Sequence, residues 1–324
     1  MLQAVPQLNS NCGERFGWVN RYLRFVTIPQ LNCHLRFYRE ERIKEMTVDN
    51  TFMIKKIQAM KTLFAIYSPL TKMPYIQCDE ETFDDQVHLF TELENAKTFC
   101  EEKMKEKIPL LIHKLENEKI ILQFYNELYL IGVNAVVYHD EVNATHMELD
   151  KIIKIHDWED KKQKPVLNPL LQLTAAYFFQ EARRPEQPKD DPQRNRLLHE
   201  LEEEMLVNIG RSTLILPVIP KPVKEGEENQ PPQLGAVVLK NNKNEVFQPV
   251  FTDFSEIIKM YPKDIQKFHA MAVPFSKLPA QVLENSQGMV LNPAGFNLIL
   301  NRQLLQLISQ RFVQTDGGSE KEKQ

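Results

Sequence analysis

Glycine is scarce in this chain: 10 residues in 324. No GxGxxG, no Walker-type lysine loop and no GxSxG occurs. The backbone turns that cradle phosphates or raise a nucleophilic serine are therefore missing, which disfavours nucleotide binding. Cysteine is nearly as rare. Cys12, Cys33, Cys78 and Cys100 stand far apart with no CxxC pair. That spacing supports neither a zinc knuckle nor a thioredoxin-type redox pair, and points to free thiols in a reducing compartment. No apolar run approaches the ~20 residues a membrane helix needs, and no long apolar segment opens the chain. Membrane spanning and secretion are both disfavoured. Neither sign of charge dominates: 40 Lys and Arg face 44 Asp and Glu, a net of −4. Nothing in that balance calls for nucleic acid or a polybasic membrane contact.

What is present is an ordinary globular composition, 42% hydrophobic and 26% charged. The length allows two domains with cores of their own. Residues 1–45 mix aromatics, arginines and two of the cysteines without a sustained period. They read as a weakly ordered extension, or as translation from a start upstream of the natural one. An amphipathic segment lying on a membrane surface is the other reading.

Patterned sequence follows. "TLFAIYSP" (62–69) is a β-rich run closed by proline. "FTELENAKTFCEE" (90–102) has helical spacing, with Thr91 and Glu94 in a capping-box arrangement. "IPLLIHKL" is a strand or a short helix. "EKIILQFYNELYLIG" reads as a helix with Leu122, Tyr125 and Leu128 on one face, and Gly132 suits the left-handed position at its end. "VNAVVYH" is β-rich. After a charged connector, Asn168 and Pro169 mark a helix start, with Leu170, Leu173, Tyr177 and Phe178 as its apolar face. Residues 181–196 read as an exposed, proline-bearing loop. Residues 197–209 read as a second helix with Glu202, Glu203 and Glu204 toward solvent.

The order of signals then recurs. "TLILPVIP" (213–220) matches "TLFAIYSP" in type. "VFTDFSEIIKMY" (250–261) echoes "LFTELENAKTF" (89–99), with Phe254, Ile257, Ile258 and Tyr261 as the apolar face. "PFSKLPAQVLENSQG" corresponds to the helix before Gly132, and Gly288 precedes "MVLNP" as Gly132 precedes "VNAVVY". "GMVLNPAGFNLILNRQLLQLI" (288–308) predicts a buried strand, a turn at Asn292-Pro293, a second apolar strand and a helix. The expectation is an α+β fold made of two related units, each a small sheet packed with helices. The first unit is 46–153, residues 154–165 are a linker, the second unit is 166–312, and 313–324 are a disordered tail.

"NPLLQLTAAYFFQEARRP", "LLHELEEEMLVNIGRSTLILPV", "PVFTDFSEIIKMY" and "GMVLNPAGFNLIL" resemble the SseB-type family, the enhanced-serine-sensitivity proteins of bacteria. The resemblance is strongest over 165–312 and extends over 60–140 as a degenerate first copy. It implies a bacterial cytoplasmic protein with an α+β domain. It implies no reaction, cofactor or catalytic residue.

The residues give several candidate sites. The Asn292 amide beside Pro293 could bind a ligand or peptide, or could bond to its own backbone in a turn. His139, Asp140, Glu141 and His146, with His156 and Asp157 beyond, are metal-ligand types without an HExxH, and read as a polar loop. Cys100 could be a nucleophile with His113 or His88 as base, but it stands on an apolar helix face and reads as an inert thiol. Arg183 and Arg184, beside Glu181 and Glu186, could meet an acidic partner. No catalytic constellation, cofactor site or metal site is expected. The expected function is a non-enzymatic interaction or regulatory module with another protein as partner. The alternative is an enzyme or small-molecule sensor with its site between the two repeats.

Overall fold

The computed structural model describes residues 51–154, 164–185, 191–220 and 234–316. The extension at 1–45, most of the connector and the excursion at 221–233 lie outside them. Among the described residues there are eight α-helices and fourteen strands, a mixed α+β architecture.

A short helix, α1 (Thr51–Gln58), precedes the first sheet. β1 (Thr62–Ser68) is its centre. β5 (Leu111–Glu116) pairs antiparallel with β1 on one side and β4 (Asp85–Phe90) on the other. β6 (Ala135–His139) runs parallel to β4, and β7 (Ala144–Glu148) returns antiparallel. Two short pieces complete the sheet: β2 (Met73–Pro74) on β1 and β3 (Gln77–Cys78) on β4. α2 (Leu93–Lys105) and α3 (Glu118–Leu130) carry the chain from β4 to β5 and from β5 to β6. A parallel pair needs such a crossover, because a tight turn cannot reverse the chain twice. The single-turn helix α4 (Leu149–Ile152) follows β7.

Two long helices come next, α5 (Pro169–Ala182) and α6 (Pro192–Arg211). β8 (Thr213–Pro220) pairs antiparallel with β12 (His269–Pro274) and with β9 (Leu234–Ala236). A single antiparallel bridge, Ile215 to Phe251, joins β8 to the end of β11 (Val246–Val250). β10 (Leu239–Lys240) pairs with β11. β13 (Gly288–Leu291) runs parallel to β11, and β14 (Leu298–Asn301) returns antiparallel. α7 (Phe254–Met260) follows β11, and α8 (Arg302–Asp316) ends the described chain, entering the stretch read from sequence as a tail.

One hydrophobic cluster runs from Ile57 to Ile308 and draws on all three sheets. α5 sits in it. Leu171, Leu173, Phe178 and Phe179 are all buried there. At about 1.5–3 kcal/mol for each large side chain, α5 is a major contributor to the core.

Several local expectations change. Thr91 does not cap α2: its N-cap is Glu92, with no side-chain cap bond, and the Thr91 hydroxyl donates to the carbonyl of His139. Asn168 stands at the N-cap of α5 as expected, with Pro169 in the first turn, but its side chain makes no cap bond and its amide donates to the carbonyls of Thr213 and Thr252 instead. α6 starts five residues early, where Asp191 accepts from the N–H groups of Gln193 and Arg194 and Pro192 occupies the first turn. The helix expected in "PFSKLPAQVLENSQG" is two 3-10 turns, Phe275–Lys277 and Pro279–Gln281. Leu122 and Leu170 face solvent, and their neighbours Ile121 and Leu171 are buried instead. Gly132 does take a left-handed φ of 85° after α3.

Candidate functional site

The Asn-Pro turn is buried and fully used. Asn292 is inaccessible to solvent and has a φ of 45°, a region asparagine tolerates. Its carbonyl oxygen accepts from the N–H groups of Gly295 and Asn297, both at 3.0 Å, which closes the turn. Its side-chain amide donates to the Thr252 hydroxyl at 2.9 Å, and its Oδ1 accepts from the Thr252 N–H at 3.0 Å. Thr252 Oγ1 donates to Asp253 Oδ2, and Gln172 on α5 donates to the same oxygen at 2.7 Å. Asp253 Oδ1 accepts from the N–H groups of Ser255 and Glu256 and so caps α7. Asn292 thus pins the start of α7 to α5.

Arg183 meets the same turn. It donates to the carbonyl of Phe296 at 2.6 Å and to the carbonyl of Leu70, in the β1–β2 turn, at 2.7 Å. Its guanidinium lies 3.9 Å over the Phe179 ring, a cation–π contact. Arg184 bonds Glu181 at 2.7 Å and the carbonyl of Glu106 at 2.6 Å. Arg194 holds the other Glu181 oxygen at 2.7 Å. Further along α5, Gln180 both accepts from and donates to the backbone of Ile76, and Tyr177 donates to Asp85 at 2.6 Å. Of the residues singled out in the sequence, Arg183 and the Asn292-Pro293 turn therefore come together at the end of α5, on the seam along that helix, while Arg184 turns to Glu181 and Glu106.

Lys259 on α7 crosses the seam as well. Its ammonium lies 2.6 Å from Glu127 on α3 and 2.9 Å from Glu256. Burial works against the Lys259 charge, but Glu256 and Glu127 outweigh it and its pKa is raised. Burial raises Glu256, which is 2% exposed, and Lys259 offsets part of that. Its Oε2 packs so close to Gly295 that a Cβ there would come within 2.8 Å.

The remaining candidates separate. His139 shares a 3.0 Å nitrogen–nitrogen contact with His88 and stacks on Phe90. Burial, then His139, then Lys103 lower His88 to about 3. His146 pairs with Asp84 at 3.2 Å, and Asp140 lies 3.4 Å from Lys56. His156 and Asp157 lie outside the described residues. Among the described residues no three of His, Cys, Asp and Glu form a group that could hold a metal. Cys100 packs against the buried cluster of Ile66, Tyr75, Phe90 and Ala96, and burial raises its thiol pKa, the opposite of what activates a nucleophile. His113 stacks on Tyr67 at 4.1 Å.

The open surface lies elsewhere. A groove of about 260 Å³ is lined by Val166, Leu167, Ile215, Phe254, Ala270 and Ala272. Phe254 is 48% exposed at its side, and Ile258, one turn along α7, is 45% exposed. Both were expected on one apolar face with Ile257 and Tyr261, but α7 turns Ile257 inward and these two outward. Spacing alone does not choose between the two faces of a seven-residue helix whose apolar residues lie on both sides. The Asp253 cap, bonded to Gln172, sets the rotation.

Residues 195–306 match the family model of the SseB protein N-terminal domain. The resemblance read from the sequence holds over that stretch, which includes Phe254, β12 and Asn292 and excludes Arg183. A search of curated proteins found no match. Among solved structures, Tic22 of Anabaena, described as protein transport, aligns at 12% identity over 75% of this chain and 92% of that one, with a TM-score of 0.19. At so low a score the likeness says nothing of fold or role. No described helix is long and apolar enough to cross a membrane.

Proposed function

With an SseB-type N-terminal domain at residues 195–306 as the premise, we propose that this chain is a non-enzymatic interaction module whose second half binds another protein. One observation carries the reading: Phe254, the aromatic among the described residues lining the groove, is half exposed on a short helix whose cap is bonded into the seam. Aromatic side chains over shallow apolar surface are how proteins anchor partners, whereas ligand sites gather polar groups in a deep cleft. The polar groups here are spent on the seam. The two halves are read as tandem copies. Each runs from a central strand to an antiparallel edge strand, and each has a parallel pair followed by an antiparallel return. The bacterial cytoplasm is the proposed setting, in keeping with the family resemblance and the free thiols of Cys78 and Cys100. Neither nucleic acid nor a membrane is proposed as partner.

The test is site-specific photocrosslinking. A benzophenone amino acid replaces Phe254 in the full chain, which is then irradiated in its source cell. One stoichiometric protein adduct, absent when the probe sits at exposed Leu197, supports the proposal. Equal labelling from both positions removes it.

A further inference from the structure

We infer that the free edge of β12 takes an extended segment of another protein as an added strand, and that this segment has apolar side chains flanked by acidic residues. The inference deepens the proposed function and rests on it.

The backbone makes the first argument. Ile215 exchanges both of its backbone bonds with Phe251, at 2.8 and 2.9 Å. Its N–H and C=O therefore face β11 and not β12. In an antiparallel ladder the residue opposite such a position turns its own N–H and C=O the other way. The residue opposite Ile215 is Ala272. Ala272, and Ala270 two positions before it, consequently direct their backbone groups to the outer edge. Pro217, opposite Ala270, has no N–H to give, which agrees with that register. Among the described residues β12 pairs with β8 alone. The side chains of Ala270 and Ala272 line the apolar groove. A strand added here would lay alternate side chains over that groove.

A comparison with the other edge makes the second. β5 is the outer strand of the first sheet and carries Lys114 and Glu116, ion-paired at 2.6 Å, along with exposed His113. Charges on an edge strand are the usual guard against unwanted pairing. β12 reads His-Ala-Met-Ala-Val-Pro and has no lysine, arginine or acid. Among the described residues its edge is unpaired, with Pro274 at its end as its one guard.

Charge selects the occupant. Lys164, next to the groove-lining Pro165, and Lys263 and Lys277, on either side of β12, are exposed and make no ion pair among the described residues. Asp264 is held by Lys267 at 2.5 Å. Asp253 inside the groove has both oxygens bonded. The unpaired described charges that flank the groove lining and β12 in the chain are thus basic. A second copy of this chain would bring the same cations against them, whereas a segment flanked by Asp or Glu would be attracted.

The experiment pans a displayed library of short random peptides on the full chain and follows the selected peptide by hydrogen exchange. Enrichment of apolar peptides with acidic ends, and new protection at the Ala270 and Ala272 amides, is expected. Ala272→Pro removes an N–H that β8 does not use, so the fold should persist, as circular dichroism would confirm, while peptide affinity falls by about tenfold. Ala272→Ser keeps the N–H and should bind as the parent does. Four results would overturn the inference: no enrichment, enrichment of basic-ended peptides, full affinity in Ala272→Pro, or amides at 270 and 272 already protected in the free chain. If the Phe254 adduct forms equally well in Ala272→Pro, the interaction module stands and strand addition falls.

Discussion

The two halves of this protein pair their strands in the same order and finish them differently. In the first half Phe90 faces His139 across the parallel pair β4–β6. In the second, Val250 faces Leu291, and the next residues along are Phe251 and Asn292. One position thus holds a histidine in one half and a buried asparagine in the other. Asn292 ties Thr252 and α7 to the core, and His139 stacks on Phe90 and shares a contact with His88. The edges differ likewise: β5 is charged and β12 is bare. A single pairing order can therefore carry a charged edge in one half and an uncharged one in the other. The difference lies in side chains that the scheme itself does not dictate.

The comparison can be broken first at its two matched glycines. Gly288 has a φ of 151°, and a Cβ there would meet the Leu300 carbonyl oxygen at 2.3 Å. Gly132 has a φ of 85° and a nearest backbone approach of 2.8 Å. Gly288→Ala should cost roughly 4 kcal/mol and Gly132→Ala roughly half that, read by urea denaturation. Next comes Asn292→Ala, which leaves the buried Thr252 N–H without a partner and its hydroxyl oxygen without a donor. It should cost about 3 kcal/mol and raise hydrogen exchange in α7 before it does so in the first sheet. The histidine pair gives the first half a pH dependence of its own. Because His88 is lowered to about 3 in the folded protein, its contribution is complete above the ordinary value of 6.5 and is lost as pH falls below it. That loss should be about 2 kcal/mol at pH 5, and His88→Phe should remove it. The smallest effect is at the groove. Phe254→Ser should change stability by no more than about 0.5 kcal/mol, because the ring is half exposed, while abolishing partner capture.

Much of the fold was legible in the sequence. β1, β6, β8, β13 and β14 stand where short apolar runs stop at turn residues, and Gly132 ends α3 as its flexibility suggests. The two long helices were visible, but the start of α6 was not, since Asp191-Pro192 lies inside a proline-rich stretch that reads as loop. The candidate site was less legible. Arg183 was singled out as a group that could meet an acidic partner and Asn292 as a ligand group or a turn residue; Arg183 bonds the carbonyl of Phe296 in the Asn292 turn, and Asn292 bonds Thr252. A long-range hydrogen bond such as Arg183 to Phe296 leaves no periodic trace. The groove was missed for the opposite reason. Its residues are apolar and regularly spaced, which is what a core looks like until the helix is rotated by its cap.

A partner is proposed to bind the second half, at Phe254 and Ile258. The most direct measurement captures partners from the source cell with three full-length baits: the parent chain, Phe254→Ser with Ile258→Ser, and Leu122→Ser, which removes an exposed apolar side chain of the first half. The prediction is one stoichiometric partner with the parent and with Leu122→Ser, and its loss with the groove variant. A partner that survives the groove variant and is lost with Leu122→Ser would contradict it.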